Sequence, residues 1–223
     1  MFRPKDGPVK RGPFRTTRRI PAMSGHSDQR AERIGVYGGT FDPVHVGHVV
    51  VATECRHALG LDRVLLVVAG DPWQKRGKVV ADAATRLLLA QAAVEGIAGV
   101  EASDLEIVRG TASVTADTLE SLSGPHRELF LILGADAVAN MPTWRRLEDT
   151  RDLATVVVVE RAGDQHASPP GPGWAVARVA IPRVDVSSSE IRERLGAGRP
   201  IDGLVPSEVV REIAAHGLYT ELR

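Results

Sequence analysis

The chain has 223 residues, 28 basic and 28 acidic side chains, and a single cysteine. That length suits one large domain or two small ones, and 43% apolar with 25% charged residues is a globular composition that excludes disorder throughout. The lone Cys55 excludes a disulfide-built fold, and no apolar run approaches the ~20 residues needed to cross a bilayer.

Residues 1–30 hold eight Lys/Arg against two Asp/Glu, rich in Pro and Gly and without a hydrophobic period. Residues 1–32 are therefore expected to be a disordered basic tail, followed by a single domain over 33–223. An arm touching nucleic acid or acidic lipid, a transit peptide, and a start at Met23 are the other readings of this stretch. One free thiol without a secretory signal predicts the cytoplasm.

Beyond the tail, apolar runs alternate with helix-like spacing. Strands are predicted at 33–38, 64–69, 100–108, 129–133, 154–159 and, more weakly, 175–181. Helices are predicted at 46–59, 81–94, 115–122, 188–195 and 207–216, and a surface loop at 163–173. Continuous apolar strands separated by helices predict an α/β fold: a doubly wound parallel sheet with helices on both faces and a small C-terminal helical segment. In such sheets ligands gather outside the carboxyl ends of the strands.

Gly38-Gly39-Thr40-Phe41-Asp42-Pro43-Val44-His45-Val46-Gly47-His48 closes the first strand and opens the first helix. Gly38 and Gly39 permit close backbone approach to a ligand, and a helix start offers free N–H groups to phosphate. His45 and His48, three apart, share one face of the first turn, and Gly47 between them leaves room for a bulky ligand. Two surface histidines on a glycine turn is the bland alternative. A zinc pair fits the spacing but lacks a third ligand nearby. Near the other end, Ser187-Ser188-Ser189-Glu190-Ile191-Arg192 has capping-box spacing between Ser187 and Glu190. Hydroxyls and N–H groups at a helix start, with a guanidinium one turn in, also make a second anion site.

Together, GGTFDPVHVGH and SSSEIR resemble the HxGH nucleotidylyltransferase superfamily. Further strings are similar to those of nicotinate-nucleotide adenylyltransferases: VAGDPWQK at 68–75, RGTASVTADTL at 109–119, Gly134-Ala135-Asp136 followed by Trp144, and Leu204-Val205-Pro206 with Leu218-Tyr219. The resemblance spans 33–223. It departs at Val114 where tyrosine is usual, at Ser189 for threonine, and at Trp73-Gln74 for Pro-His. It implies a Rossmann-like fold and transfer of the adenylyl group of ATP to nicotinate mononucleotide, releasing pyrophosphate, in NAD biosynthesis.

It also implies roles. His45 would meet the α-phosphate and His48 the β- and γ-phosphates, with Arg192 as a third catalytic group. Gly38, Gly39, Thr40, Phe41 and Gly47 would shape the ATP site, and Ser187, Ser188 and Ser189 would hold its phosphates. Gly134 and Asp136 would meet the ribose. Lys75 would clamp phosphate, Thr115 would meet the pyridine carboxylate, and Trp144 would stack on the pyridine. Mg²⁺ would arrive with ATP, without protein ligands of its own. No nucleic-acid or membrane partner is implied, and a homo-oligomer stays open.

Plainer readings stand beside these: Lys75 as a solvated lysine, Trp144 as core, Asp136 as a helix cap, Asp42 as a turn residue. Cys55 reads as core, and Trp73 and Trp174 are unassigned. Nicotinamide mononucleotide or phosphopantetheine as acceptor, a non-catalytic ATP or NAD sensor, and a nucleotide hydrolase are the competing functions.

Overall fold

A computed structural model describes residues 30–72, 80–161 and 167–220. Most of the expected tail, and Trp73, Gln74 and Lys75, lie outside the described residues. Six strands form one sheet: β1 (Glu32–Gly39), β2 (Arg63–Val68), β3 (Val100–Ser103), β4 (Arg127–Gly134), β5 (Thr155–Arg161) and β6 (Val176–Ile181). Their order is β3-β2-β1-β4-β5-β6, and every neighbouring pair is parallel.

Helices fill the crossovers: α1 (Val46–Leu59), α2 (Ala83–Val94), α3 (Leu105–Arg109), α4 (Thr115–Leu122), α5 (Ala135–Asn140), α6 (Leu147–Leu153), α7 (Ser188–Gly196) and α8 (Ser207–His216). The doubly wound Rossmann-like sheet expected from the apolar runs is present. Strand side chains alternate between its two faces. Val64, Leu66 and Val68 join Cys55 of α1, Leu89 of α2, Ile191 of α7 and Val209 of α8 in one core. Leu65 and Val67 join Leu119 of α4, Val138 of α5 and Met141 in the other. Burial on both faces is why these strands read as unbroken Val/Leu runs rather than alternating ones. Cys55 is fully buried, and burial pushes its thiol up to about 12, so it is a small core residue rather than a nucleophile.

Local chemistry sets the helix ends. Asp82 caps α2 by accepting from Thr85 N–H at 2.8 Å, and Gly60, at φ 58°, ends α1 in the left-handed conformation. No helix among the described residues is long and apolar enough to cross a membrane.

Two expectations about elements are corrected. The stretch read as one strand over 100–108 is β3 followed by α3. Leu105 and Ile107 alternate as in a strand, but tertiary contacts decide otherwise. Arg109 donates to Thr118 Oγ1 at 3.3 Å, and α3 runs so close to Gly70 that a Cβ there would lie 2.7 Å from the Glu106 carbonyl oxygen. Between β4 and β5, where no helix was predicted, α5 and α6 flank a 3₁₀ turn, Met141–Thr143. They are 6 and 7 residues long, too short to show a helical period.

Candidate active site

Strand order turns around at β1: β2 and β3 lie to one side, β4 to β6 to the other. The crevice beyond the carboxyl ends of β1 and β4 is therefore the topological switch point. Val36 and Gly38 of β1 face one side of the sheet and Tyr37 the other. Each side has a cavity. One, of ≈ 240 Å³, is lined by Gly38, Gly39, Thr40, Thr115, Trp144 and Arg145 among others. The other, of ≈ 370 Å³, is lined by Tyr37, Gly134, Asp136 and Arg161 with Val51, Ala135 and Val159. Thr115 and Trp144, expected at one ligand, do meet in the first cavity. Gly134 and Asp136 meet in the second, where Asp136 is an exposed residue inside α5 while Gly134 occupies the cap position.

The loop joining β1 to α1 borders the first cavity at Thr40 and is under unusual constraint. Phe41 has φ 52° and is 2% exposed, a conformation rarely adopted by a residue with a side chain. Its ring fills the space beside Gly39, where a Cβ would come within 2.6 Å of it. Gly39 thus makes room for Phe41 and also lines the first cavity. Gly38 is the one that opens outward: a Cβ there would meet nothing within 4 Å.

Asp42 is more than a turn residue. It is 3% exposed, and its carboxylate accepts from Val80 N–H at 2.8 Å, Ala81 N–H at 3.1 Å and the Tyr219 hydroxyl at 2.9 Å. The buried Arg86 side chain donates to the Thr40 carbonyl at 2.8 Å. These bonds over-determine the loop, which is what a left-handed Phe41 requires.

His45 sits at the N-cap of α1 with extended backbone, φ −143° and ψ 171°. This turns its ring inward, and the residue is 7% exposed. The ring stacks on His48, centroids 3.6 Å apart, and lies against Gly47, where a Cβ would approach it to 3.1 Å. The absence of a Cβ at Gly47 makes room for the His45 ring. The His45 backbone N–H donates to His48 Nδ1 at 3.1 Å. That bond leaves the neutral His48 ring its proton on Nε2, a donor. Burial, with a smaller contribution from Arg161, pushes His45 down to about 4, so it is neutral at pH 7. Its Nδ1 is buried, and His45 and His48 form a reciprocal capping box at the start of α1.

The α7 start is docked onto this loop. Ser187 caps the helix, accepting from Glu190 N–H at 3.2 Å. The Ser188 hydroxyl donates to the Pro43 carbonyl at 2.8 Å. Arg192 donates to the Asp42 carbonyl at 2.6 Å and to Ser189 Oγ at 3.4 Å. Arg192 is thus a brace across 150 residues of sequence; a guanidinium has five N–H donors, so bracing leaves capacity for an anion. The Ser188 hydroxyl proton is already used.

Some residues at the site escaped sequence reasoning. Arg161 ends β5 in the second cavity, and its position at a strand's carboxyl end was the signal available. Tyr37 was read only as part of a strand; it packs edge-on against Phe41, with ring centroids 5.8 Å apart. Arg145 lines the first cavity beside Trp144. Arg86 had no local signal, because its partner is far away in sequence; Tyr219 stood out in the Leu218-Tyr219 string, but nothing local pointed to Asp42 as its partner.

Cavities at the switch point of a doubly wound sheet, beside a glycine-containing loop and a helix start, are the arrangement by which α/β proteins of the nucleotide-binding class hold their ligands. Residues 36–194 match the cytidylyltransferase-like family. A probable nicotinate-nucleotide adenylyltransferase of Corynebacterium kroppenstedtii is 45% identical over 191 residues, covering 84% of this chain and 90% of that one. One from Frankia alni is 45% identical over 185 residues, covering 82% and 97%. The fold also superposes on Plasmodium falciparum nicotinic acid mononucleotide adenylyltransferase complexed with NaAD, with TM-score 0.70 at 19% identity, over 84% of this chain and 97% of that one. The chain belongs to the cytidylyltransferase-like family and, within it, to the nicotinate-nucleotide adenylyltransferases, which are nucleotidyltransferases.

Proposed function

We propose that this enzyme joins the adenylyl group of ATP to nicotinate mononucleotide, forming nicotinate adenine dinucleotide and pyrophosphate, in NAD biosynthesis. The observation that carries the reading is the pair of cavities on opposite faces of the sheet, one lined by Gly38 and the other by its neighbour Tyr37 at the end of β1. Two substrates entering from opposite faces would bring their phosphates together at that point. The mononucleotide belongs in the first cavity, with the pyridine on Trp144 and Thr115 near its substituent. ATP belongs in the second, with its ribose at Gly134 and Asp136.

In the reaction an oxygen of the mononucleotide phosphate forms a bond to the α-phosphorus of ATP, and the bond from that phosphorus to the β-phosphate bridge breaks. Both reactants are anions, so the protein's work is alignment and charge stabilisation. His48 donates from Nε2. His45, neutral in the free enzyme, takes a proton more readily once phosphate lies beside it. The α7 start and Arg192 face the leaving pyrophosphate. ATP would bring Mg²⁺ with it, and the ion would help neutralise the phosphate charge. Among the described residues no group of three or more His, Cys, Asp or Glu is placed to hold a metal.

The test is pyrophosphate release from Mg-ATP with nicotinate mononucleotide, nicotinamide mononucleotide or phosphopantetheine. Release is expected with the nicotinate compound, and His48→Ala should lower turnover on the order of 10²–10³-fold. Release with phosphopantetheine alone would move the substrate assignment. No release with any acceptor, from folded protein that binds ATP, would overturn the enzyme reading.

A further inference from the structure

We infer that the Arg145 side chain selects the acid over the amide form of the pyridine mononucleotide. This rests on the function proposed above and goes beyond it by assigning the selectivity to one residue. Among the described residues two charged side chains line the first cavity, Glu106 and Arg145. Glu106 is 7% exposed and accepts from Thr118 Oγ1 at 2.7 Å. Arg145 is exposed and makes no ion pair or hydrogen bond among the described residues. Its neighbour Arg146 is the opposite case: it pairs with Asp117, with Glu120 at 3.0 Å and with Asp149 at 2.6 Å. Carboxylates on α4 and α6 thus occupy one of two adjacent guanidiniums, and the other is left on the cavity wall beside Trp144.

The ligand's chemistry matches this pattern. The ring of nicotinate mononucleotide is a pyridinium carrying a carboxylate, one positive and one negative group. Its nicotinamide analogue keeps the pyridinium and exchanges the carboxylate for a neutral amide. Glu106 favours the pyridinium of both and repels a carboxylate, so the carboxylate is directed away from it. Ser113 Oγ, buried on the same wall without a partner among the described residues, can donate or accept and so serves acid and amide alike. Arg145 is the group that distinguishes them. A guanidinium binds a carboxylate through two parallel charge-assisted hydrogen bonds, and an amide offers neither the charge nor the second acceptor.

The experiment compares kcat/KM for the two mononucleotides in wild type, Arg145→Ala and Arg145→Lys, with melting temperature as a fold check. The acid-to-amide ratio should fall tenfold or more in Arg145→Ala, and Arg145→Lys should restore part of it. Both substrates share ribose and 5′-phosphate, so equal losses on both would mean a phosphate or packing role and overturn the inference. An unchanged ratio would overturn it as well. A wild type that turns over both compounds equally defeats the inference while leaving the adenylyltransferase reading intact. A wild type that turns over neither defeats both.

Discussion

A buried imidazole gives the fold a pH signature. In the unfolded chain a histidine titrates near ~6.5, whereas His45 in the folded protein is pushed down to about 4. Between those values the unfolded chain holds a proton that the folded chain refuses. The stability linked to His45 is therefore complete above the unfolded value and is lost as pH falls from ~6.5 toward the folded value. The loss is on the order of 3 kcal/mol. His45→Gln should flatten the fall in urea midpoint between about pH 7.5 and about pH 4.5, and equal slopes in both proteins would refute the assignment. At this scale the sequence was legible in pattern more than in purpose. The glycines of the loop stood out, but Gly39 and Gly47 serve Phe41 and His45, and only the folded rings reveal that.

Between elements, the Asp42 carboxylate is the fastening point. It joins the loop after β1 to the chain entering α2 and to Tyr219 beyond α8. Tyr219 is 5% exposed and sits beside the Asp42 carboxylate, and burial first, then that charge, raises its phenol far above the ordinary value. It is therefore a permanent donor. Tyr219→Phe removes that donor and leaves the two backbone N–H donors in place, so a loss of about 1–3 kcal/mol in urea denaturation is expected. An unchanged midpoint would show that this bond contributes nothing in solution. The long elements were readable because burial on both faces writes itself as Val/Leu runs. The short helices were not, because α3, α5 and α6 are held by contacts such as Arg109 with Thr118 rather than by a repeating apolar face. The Asp42 junction was invisible for the same reason: its partners are 38, 39 and 177 positions away.

For the whole molecule, the sheet acts as a partition. Trp144 lines the cavity on one face and Asp136 the cavity on the other. Trp144→Ala should raise KM for the mononucleotide about tenfold with little effect on KM for ATP, and Asp136→Ala should do the reverse. The double variant should show the two effects adding, as separated sites do. Strong non-additivity in steady-state kinetics would mean that the cavities communicate through the β1 loop. The Asp42–Tyr219 bond has a further consequence for biosynthesis. A nascent chain can pair β1 with β2 and lay α1 across them well before α8 exists. The loop after β1 stays unfastened until residue 219 has emerged, 177 positions after the carboxylate that awaits it. During translation the sheet can be built first and the loop fastened only later, so a product that stops before Tyr219 would carry the histidine pair on a loop that lacks this bond.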